Sequence, residues 1–120
     1  MADRDPTYQP DCLFCRIAAG EIPSDRVHED EQVVVFRDIH PRAPTHVLAI
    51  PRRHIPSVAD LTAADGDQLT ALFAALRSVA EQAGLRGYRI VSNVGPESGQ
   101  SVFHLHLHLL GGRAMNWPPG

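Results

Sequence analysis

The stretch His104-Leu105-His106-Leu107-His108-Leu109-Leu110 alternates strictly between imidazole and leucine. On a β-strand side chains repeat with a period of two, so the three histidines share one face and Leu105, Leu107 and Leu109 the other. On a helix the same rings would spread over about 200° and force polar groups against the core. The segment is therefore expected to be a strand, with an apolar face to be covered and a histidine face at a cleft. Burying three imidazoles on one face without partners costs several kcal/mol, so this face implies chemistry rather than packing.

Two chemistries suit three such histidines. They can jointly hold a catalytic zinc, as neutral imidazoles two apart on a strand can converge on one ion. Alternatively the middle one is a nucleophile, with its neighbours and nearby backbone donors holding the group attacked. The preceding Ser98-Gly99-Gln100-Ser101 favours the nucleophile, because it supplies flexible backbone, free N–H groups and a hydroxyl where an anionic oxygen can sit.

The rest of the chain gives this strand its context. Phe14–Ala19 suggests a short helical turn capped by Gly20, and Val27–Glu29 with Gln32–Arg37 a hairpin built on Val33-Val34-Val35-Phe36. His46–Ile50 reads as a strand stopped by Pro51. Thr62 and Asp65 form a capping pair before Leu69, Leu72, Phe73, Leu76, Val79, Ala80 and Ala83, an apolar stripe ended by Gly84. Tyr88–Val94 and Val102–Leu110 complete the strands, with a turn-rich loop over 95–100 between them. The expected fold is α+β: a five-stranded, mostly antiparallel sheet with one long and one short helix. Residues 1–10 read as a flexible arm, 11–110 as the domain and 111–120 as a tail with Gly and Pro around Trp117. His46–Ile50 and Tyr88–Val94 are expected edge strands that a homodimer would pair into a continuous sheet.

Composition removes several functions. All 11 basic residues are arginine, so lysine nucleophiles and a lysine-bearing phosphate loop are impossible. A net charge of −3 offers no general polyanion surface, so no nucleic-acid partner is expected. No run approaches the roughly 18–20 apolar residues of a membrane span, and Met1–Pro10 is polar. Neither a signal peptide, an anchor nor a membrane partner is expected, and the expected location is cytoplasmic. The two cysteines, Cys12 and Cys15, cannot build a disulfide framework and leave a metal clip or a redox pair.

These motifs together resemble the histidine triad (HIT) superfamily, whose signature is His-φ-His-φ-His-φ-φ with φ apolar. The resemblance to its Hint branch extends over residues 11–120. It includes Phe14 to Pro23, Glu29-Asp30, Phe36-Arg37-Asp38-Ile39, Ala43-Pro44-Thr45-His46, Ile50 to Ile55, Gly99-Gln100-Ser101-Val102 and Trp117-Pro118-Pro119-Gly120. It implies a homodimeric purine nucleoside phosphoramidase, cleaving nucleoside 5′-phosphoramidates through a nucleotidyl-histidine intermediate with no catalytic cofactor. It also leaves room for a dinucleoside polyphosphate hydrolase or a nucleotide-binding dimer with little turnover. The resemblance makes His106 the nucleophile, His108 the phosphate contact and proton donor, and His46 an orienting partner. Asp38 would chelate the ribose diol, and Phe14, Ile17, Phe36 and Ile39 would sandwich the base. Asn93, Gly99, Gln100 and Ser101 would surround the phosphate and leaving group, and Trp117 would reach the partner's site. Resemblance to zinc-bearing bacterial-type members implies one structural zinc per chain on Cys12, Cys15, His54 and His104. A Cys₂His₂ set is closed and leaves His106 and His108 free. His28 and His40 receive no role.

Overall fold

The computed structural model of the chain describes residues 4–120. Five strands, β1 (Arg26–Glu29), β2 (Val33–Arg37), β3 (Thr45–Pro51), β4 (Tyr88–Val91) and β5 (Leu107–Gly111), form one sheet. Its order is β1-β2-β3-β5-β4, and all the pairings are antiparallel. The short helix α1 (Leu13–Ala18) covers one face and the long helix α2 (Gly66–Gln82) the other. The expected α+β architecture is the observed one.

Because both faces are covered, the central strands lose the usual apolar–polar alternation. Val33-Val34-Val35-Phe36 is buried throughout, with Val33 and Val35 turned to α2 and Val34 and Phe36 to α1. On β3, Val47 and Ala49 pack under α2, whereas Leu48 and Ile50 meet Phe14, Ile17 and Ala18 of α1. This corrects one expectation. His46–Ile50 is no edge strand but lies in the centre, bonded to β2 on one side and β5 on the other. The free edge next to β5 is β4, shortened to Tyr88–Val91, since the Ser92 hydroxyl donates to the His106 carbonyl at 3.0 Å.

The histidine strand also begins later than expected, its ladder running only over Leu107–Gly111. Before that, backbone groups are diverted: Leu105 N–H donates to Ile55 O at 2.6 Å, outside any ladder. The two-sided alternation survives the loss of the ladder. Leu105, Leu107 and Leu109 enter the α2 core, and the rings of His104 and His106 meet Phe14 on the α1 side.

Thr62 and Asp65 form the expected capping box, each side chain accepting at the other's end of a 3₁₀ turn, Ala63–Asp65, that feeds α2. Thr62→Ala should cost about 1 kcal/mol and lower the melting temperature by a few degrees. A change below one degree in calorimetry would show that the turn does not anchor the helix. Of the expected stripe, Leu72, Leu76, Val79 and Ala80 are buried together with Ala75. Phe73, at the margin of the stripe, is 46% exposed, and Ala83 lies past the helix end in solvent.

The segment expected to be a flexible arm is tied down where described. Arg4 and Tyr8 both bond Glu21, and Thr7 Oγ1 accepts the His54 N–H at 2.6 Å. Residues 1–3 of that segment lie outside the described residues.

Candidate active site

Each histidine near β5 has one nitrogen facing a group of known polarity, and this fixes where its proton sits. His106 Nδ1 lies 2.8 Å from the His104 carbonyl. A carbonyl only accepts, so Nδ1 carries the proton and Nε2 keeps a free lone pair. His46 is fixed the opposite way, because the Arg42 backbone N–H donates to its Nδ1 over 3.0 Å. The His46 proton is therefore on Nε2, 2.9 Å from His108 Nδ1 and 3.4 Å from Asp38 Oδ2. His108 accepts on Nδ1, so its own proton is on Nε2. Of two rings whose centroids are 5.2 Å apart, His106 offers a lone pair and His108 a proton.

These tautomers need neutral rings. Burial pushes His108 down to about 4, reinforced by His106 and His46 and opposed by Asp38. Burial also lowers His46, with Asp38 again opposing. A histidine with a depressed folded pKa binds its proton more readily in the unfolded chain. The stability from His108 is therefore complete above about pH 6.5 and lost as the pH falls toward 4. The melting temperature should drop over that window, and less steeply in His108→Gln. Equal slopes would remove His108 from the acid limb.

His106 and His108 line a cleft of about 630 Å³ between α1 and the sheet. Its walls are largely apolar, from Leu13, Phe14, Ile17, Phe36, Ile39 and Leu48, with Asp38 and Ser101 among the polar groups. An apolar slot with a few convergent polar groups suits a flat ring joined to a charged part. Phe14 and Phe36 meet edge to face at 5.7 Å, whereas Ile39 is 86% exposed at the rim. Asp38 Oδ1 already accepts the His40 N–H at 2.8 Å, so the carboxylate is held by its own turn. A second cleft of about 680 Å³ at the C-terminal end of α2 holds Arg86, Arg89 and Arg113 but none of the histidines.

Other expected site residues lie apart from this cleft. Asn93 and Gly99 do not line it. Gly99 closes a 3₁₀ turn in the left-handed region, at φ +99°, where only glycine is unstrained. The Gln100 amide is fully occupied by backbone: Oε1 accepts Gly95 N–H, and Nε2 donates to Pro56 O and Val102 O. It braces the loop rather than facing the cleft. Trp117 is 80% exposed and stacks 5.7 Å from the Arg89 guanidinium, away from its own chain's cleft.

Cys12, Cys15, His54 and His104 form a second cluster, their ligand atoms within 4.8 Å of one another. Cys12 caps α1 and accepts the Cys15 N–H at 3.3 Å, so the first helical turn gathers both sulfurs. His104 is fully buried and donates from Nε2 to Pro51 O at 2.8 Å. Its Nδ1 lone pair then faces Cys12 Sγ at 3.4 Å and Cys15 Sγ at 3.5 Å, and His54 Nδ1 lies 3.3 Å from Cys15 Sγ. Zinc bonds of about 2.3 Å to sulfur and 2.0–2.1 Å to nitrogen put tetrahedral S and N ligands about 3.6 Å apart. The four residues fit such an ion. Burial pushes the Cys15 thiol up to about 12, so its sulfur ionises only beside a cation. With both nitrogens of His104 committed here, the three histidines do not converge on one catalytic metal.

Asp38, His46 and His108 also lie within metal-ligand distance of one another. The Arg42 N–H keeps the proton on His46 Nε2, the atom that would have to bind the ion, so this group is a hydrogen-bonded chain and not a metal site. The fixing groups, Arg42 N–H, Pro51 O and the His104 carbonyl, all belong to the backbone and have no signature in sequence.

Fold and site together define a class: an antiparallel α+β sheet whose histidine row lines an apolar cleft. Residues 11–116 match the family described as "Scavenger mRNA decapping enzyme C-term binding". An uncharacterised HIT-like protein of Synechococcus elongatus is 47% identical over 111 residues, covering 92% of this chain and 97% of that protein. A 14 kDa zinc-binding protein of Zea mays is 50% identical over 111 residues, 90% of this chain and 87% of its own. A HIT family hydrolase from Legionella pneumophila superposes with a TM-score of 0.90 at 50% identity, covering 92% of this chain and all of that one. One from Clostridium thermocellum gives 0.87 at 44% identity, covering 90% and 96%. This chain belongs to the histidine triad superfamily.

Proposed function

We propose that the protein is a hydrolase of the P–N bond in purine nucleoside 5′-phosphoramidates, working through a nucleotidyl-histidine intermediate. The observation that carries this reading is the pair of opposite tautomers at one cleft, a lone pair on His106 Nε2 beside a proton on His108 Nε2. His106 Nε2 attacks the α-phosphorus and forms a P–N bond, while the bond to the leaving amine breaks. The amine takes the His108 Nε2 proton, His108 Nδ1 draws the His46 Nε2 proton in turn, and the negative charge so placed on His46 is balanced by the positive charge on the phosphorylated His106 ring. Water then attacks phosphorus and returns a proton to His108, the P–His106 bond breaks, and the nucleotide leaves. The apolar wall of Phe14, Ile17 and Phe36 receives the base, with Ile39 closing the rim. Asp38 accepts from the ribose hydroxyls, and Ser101, on the cleft wall, supplies a donor to the phosphate. The hydrolase names of the Legionella and Clostridium relatives support the reaction class.

Cys12, Cys15, His54 and His104 hold one zinc, in keeping with the zinc-binding maize relative. When bound, the ion cross-links α1 to the histidine segment and takes no part in the chemistry. Single-turnover mixing with adenosine 5′-phosphoramidate tests the reaction. AMP, ammonia and a transient acid-labile adduct on His106 are expected; turnover with no adduct at any time would sink the covalent route.

Tyr88 and Val91 on the free β4 edge are exposed, as are Val94, Phe103 and Trp117. A homodimer pairing the two β4 edges covers these side chains and carries Trp117 toward the partner's cleft. Light scattering at micromolar concentration should give twice the chain mass, and a monomeric mass would refute the pairing.

A further inference from the structure

We infer that the end of the cleft farthest from the histidines reads the base, and that Asp25 and Arg37 there select guanine over adenine. This selectivity rests on the nucleotide reading above and deepens it to one base. The pairing register shows which way the cleft runs. Arg26 faces Phe36, Phe36 faces Leu48, and Leu48 faces His108, so these residues form one row across the sheet. Phe36, Leu48 and His108 all line the cleft, whose long direction therefore crosses the strands. At one strand spacing per step, Phe36 on β2 lies about 10 Å from His108 on β5, and the start of β1 about 14 Å away. A phosphorus held at His106 and His108 thus leaves the base over Leu48 and Phe36, with its outer edge at the segment that enters β1. That segment is Ser24-Asp25, and both residues line the cleft together with Arg37.

Asp25 Oδ2 and Arg37 Nε form an ion pair at 3.2 Å, and the Arg37 backbone N–H donates to Asp25 O at 2.9 Å, which holds the two residues side by side. The pair offers a second carboxylate oxygen as acceptor beside the remaining guanidinium N–H donors. Guanine presents the complement along one edge, the N1–H and 2-amino donors beside the O6 acceptor. Adenine presents its amino donor beside N1, an acceptor that the carboxylate repels. Both side chains are more than half exposed, so the expected selectivity is about tenfold, the size of one extra charge-assisted hydrogen bond. Ser24 adds a different contribution. Its Oγ is buried and has no partner, a costly state for a hydroxyl that a polar ring atom in the cleft would relieve. A hydroxyl gives or accepts, so Ser24 holds either purine without choosing between them. A pyrimidine, shorter by one ring, stops short of all three side chains.

Calorimetric titration with GMP, IMP, AMP and UMP tests this without needing turnover. GMP should bind about tenfold tighter than AMP, with IMP, which lacks the 2-amino group, between them. Asp25→Ala should bring GMP within about twofold of AMP, chiefly by weakening GMP. Ser24→Ala should weaken GMP and AMP by the same factor, about threefold. UMP should respond to neither substitution, whereas a cleft damaged by misfolding would lose UMP as well. GMP and AMP of equal affinity in the wild-type protein would overturn base selection whatever the variants do. A GMP preference that survives Asp25→Ala with UMP binding intact would overturn the assignment to Asp25. The guanosine and adenosine 5′-phosphoramidates then separate selection from chemistry. A GMP preference with no turnover of either amidate leaves base selection standing and removes the proposed reaction. Failure of all four nucleotides to bind would overturn the nucleotide reading itself.

Discussion

His106→Ala is expected to lower kcat for adenosine 5′-phosphoramidate by several powers of ten, because no other group at the cleft offers an unprotonated ring nitrogen fixed by its neighbours. The substitution also removes the partner of the His104 carbonyl and the edge contact with Phe14, at a cost of about 1–3 kcal/mol in stability. His106→Asn separates the two effects. Its amide can still donate to that carbonyl, so the fold should recover while the nucleophile stays absent. Both variants should be inactive, and only the alanine form clearly less stable. A loss smaller than about tenfold, some 1.4 kcal/mol of barrier, would remove His106 from the nucleophile's role.

Protein purified without chelator should contain about one zinc per chain, and Cys12→Ser should lower the melting temperature by more than about 10 °C. Structural zinc in small domains contributes about 10–16 kcal/mol of binding. Losing even about 3 kcal/mol of it shifts the midpoint of a chain this size by about 10 °C. The loss should be local, since Cys12 holds α1 against the His104 segment while the α2 core stands without it. Folded Cys12→Ser should keep measurable but reduced activity. Metal analysis showing no zinc would dismiss the site. Complete loss of chemistry in a fully folded variant would move the metal into the mechanism.

Some of this architecture follows from local rules and was legible residue by residue. Strict alternation in His104–Leu109 demands two faces, because a period of two leaves no other placement, and it persists even over His104–His106, where no ladder forms. The Thr62–Asp65 box and the glycine after α2 mark that helix through hydrogen bonds made within a few residues. The pairing of Cys12 with Cys15 at one helical turn is equally local.

What tertiary structure alone decided is everything that depends on a distant backbone group. Val33–Phe36 and His46–Ile50 carry no mark of being central rather than edge strands; that follows from the pairing of each on both sides, β2 between β1 and β3, and β3 between β2 and β5. Tautomers were equally out of reach. Arg42 N–H, Pro51 O and the His104 carbonyl each fix a histidine nitrogen, yet every residue has such groups, and only folding brings these three to those rings. Sequence therefore determined which side chains can do chemistry, because reactivity belongs to residue type and spacing. The fold decided which nitrogen of each histidine is free to do it, because a proton's position is set by whichever donor or acceptor the folded backbone places beside it.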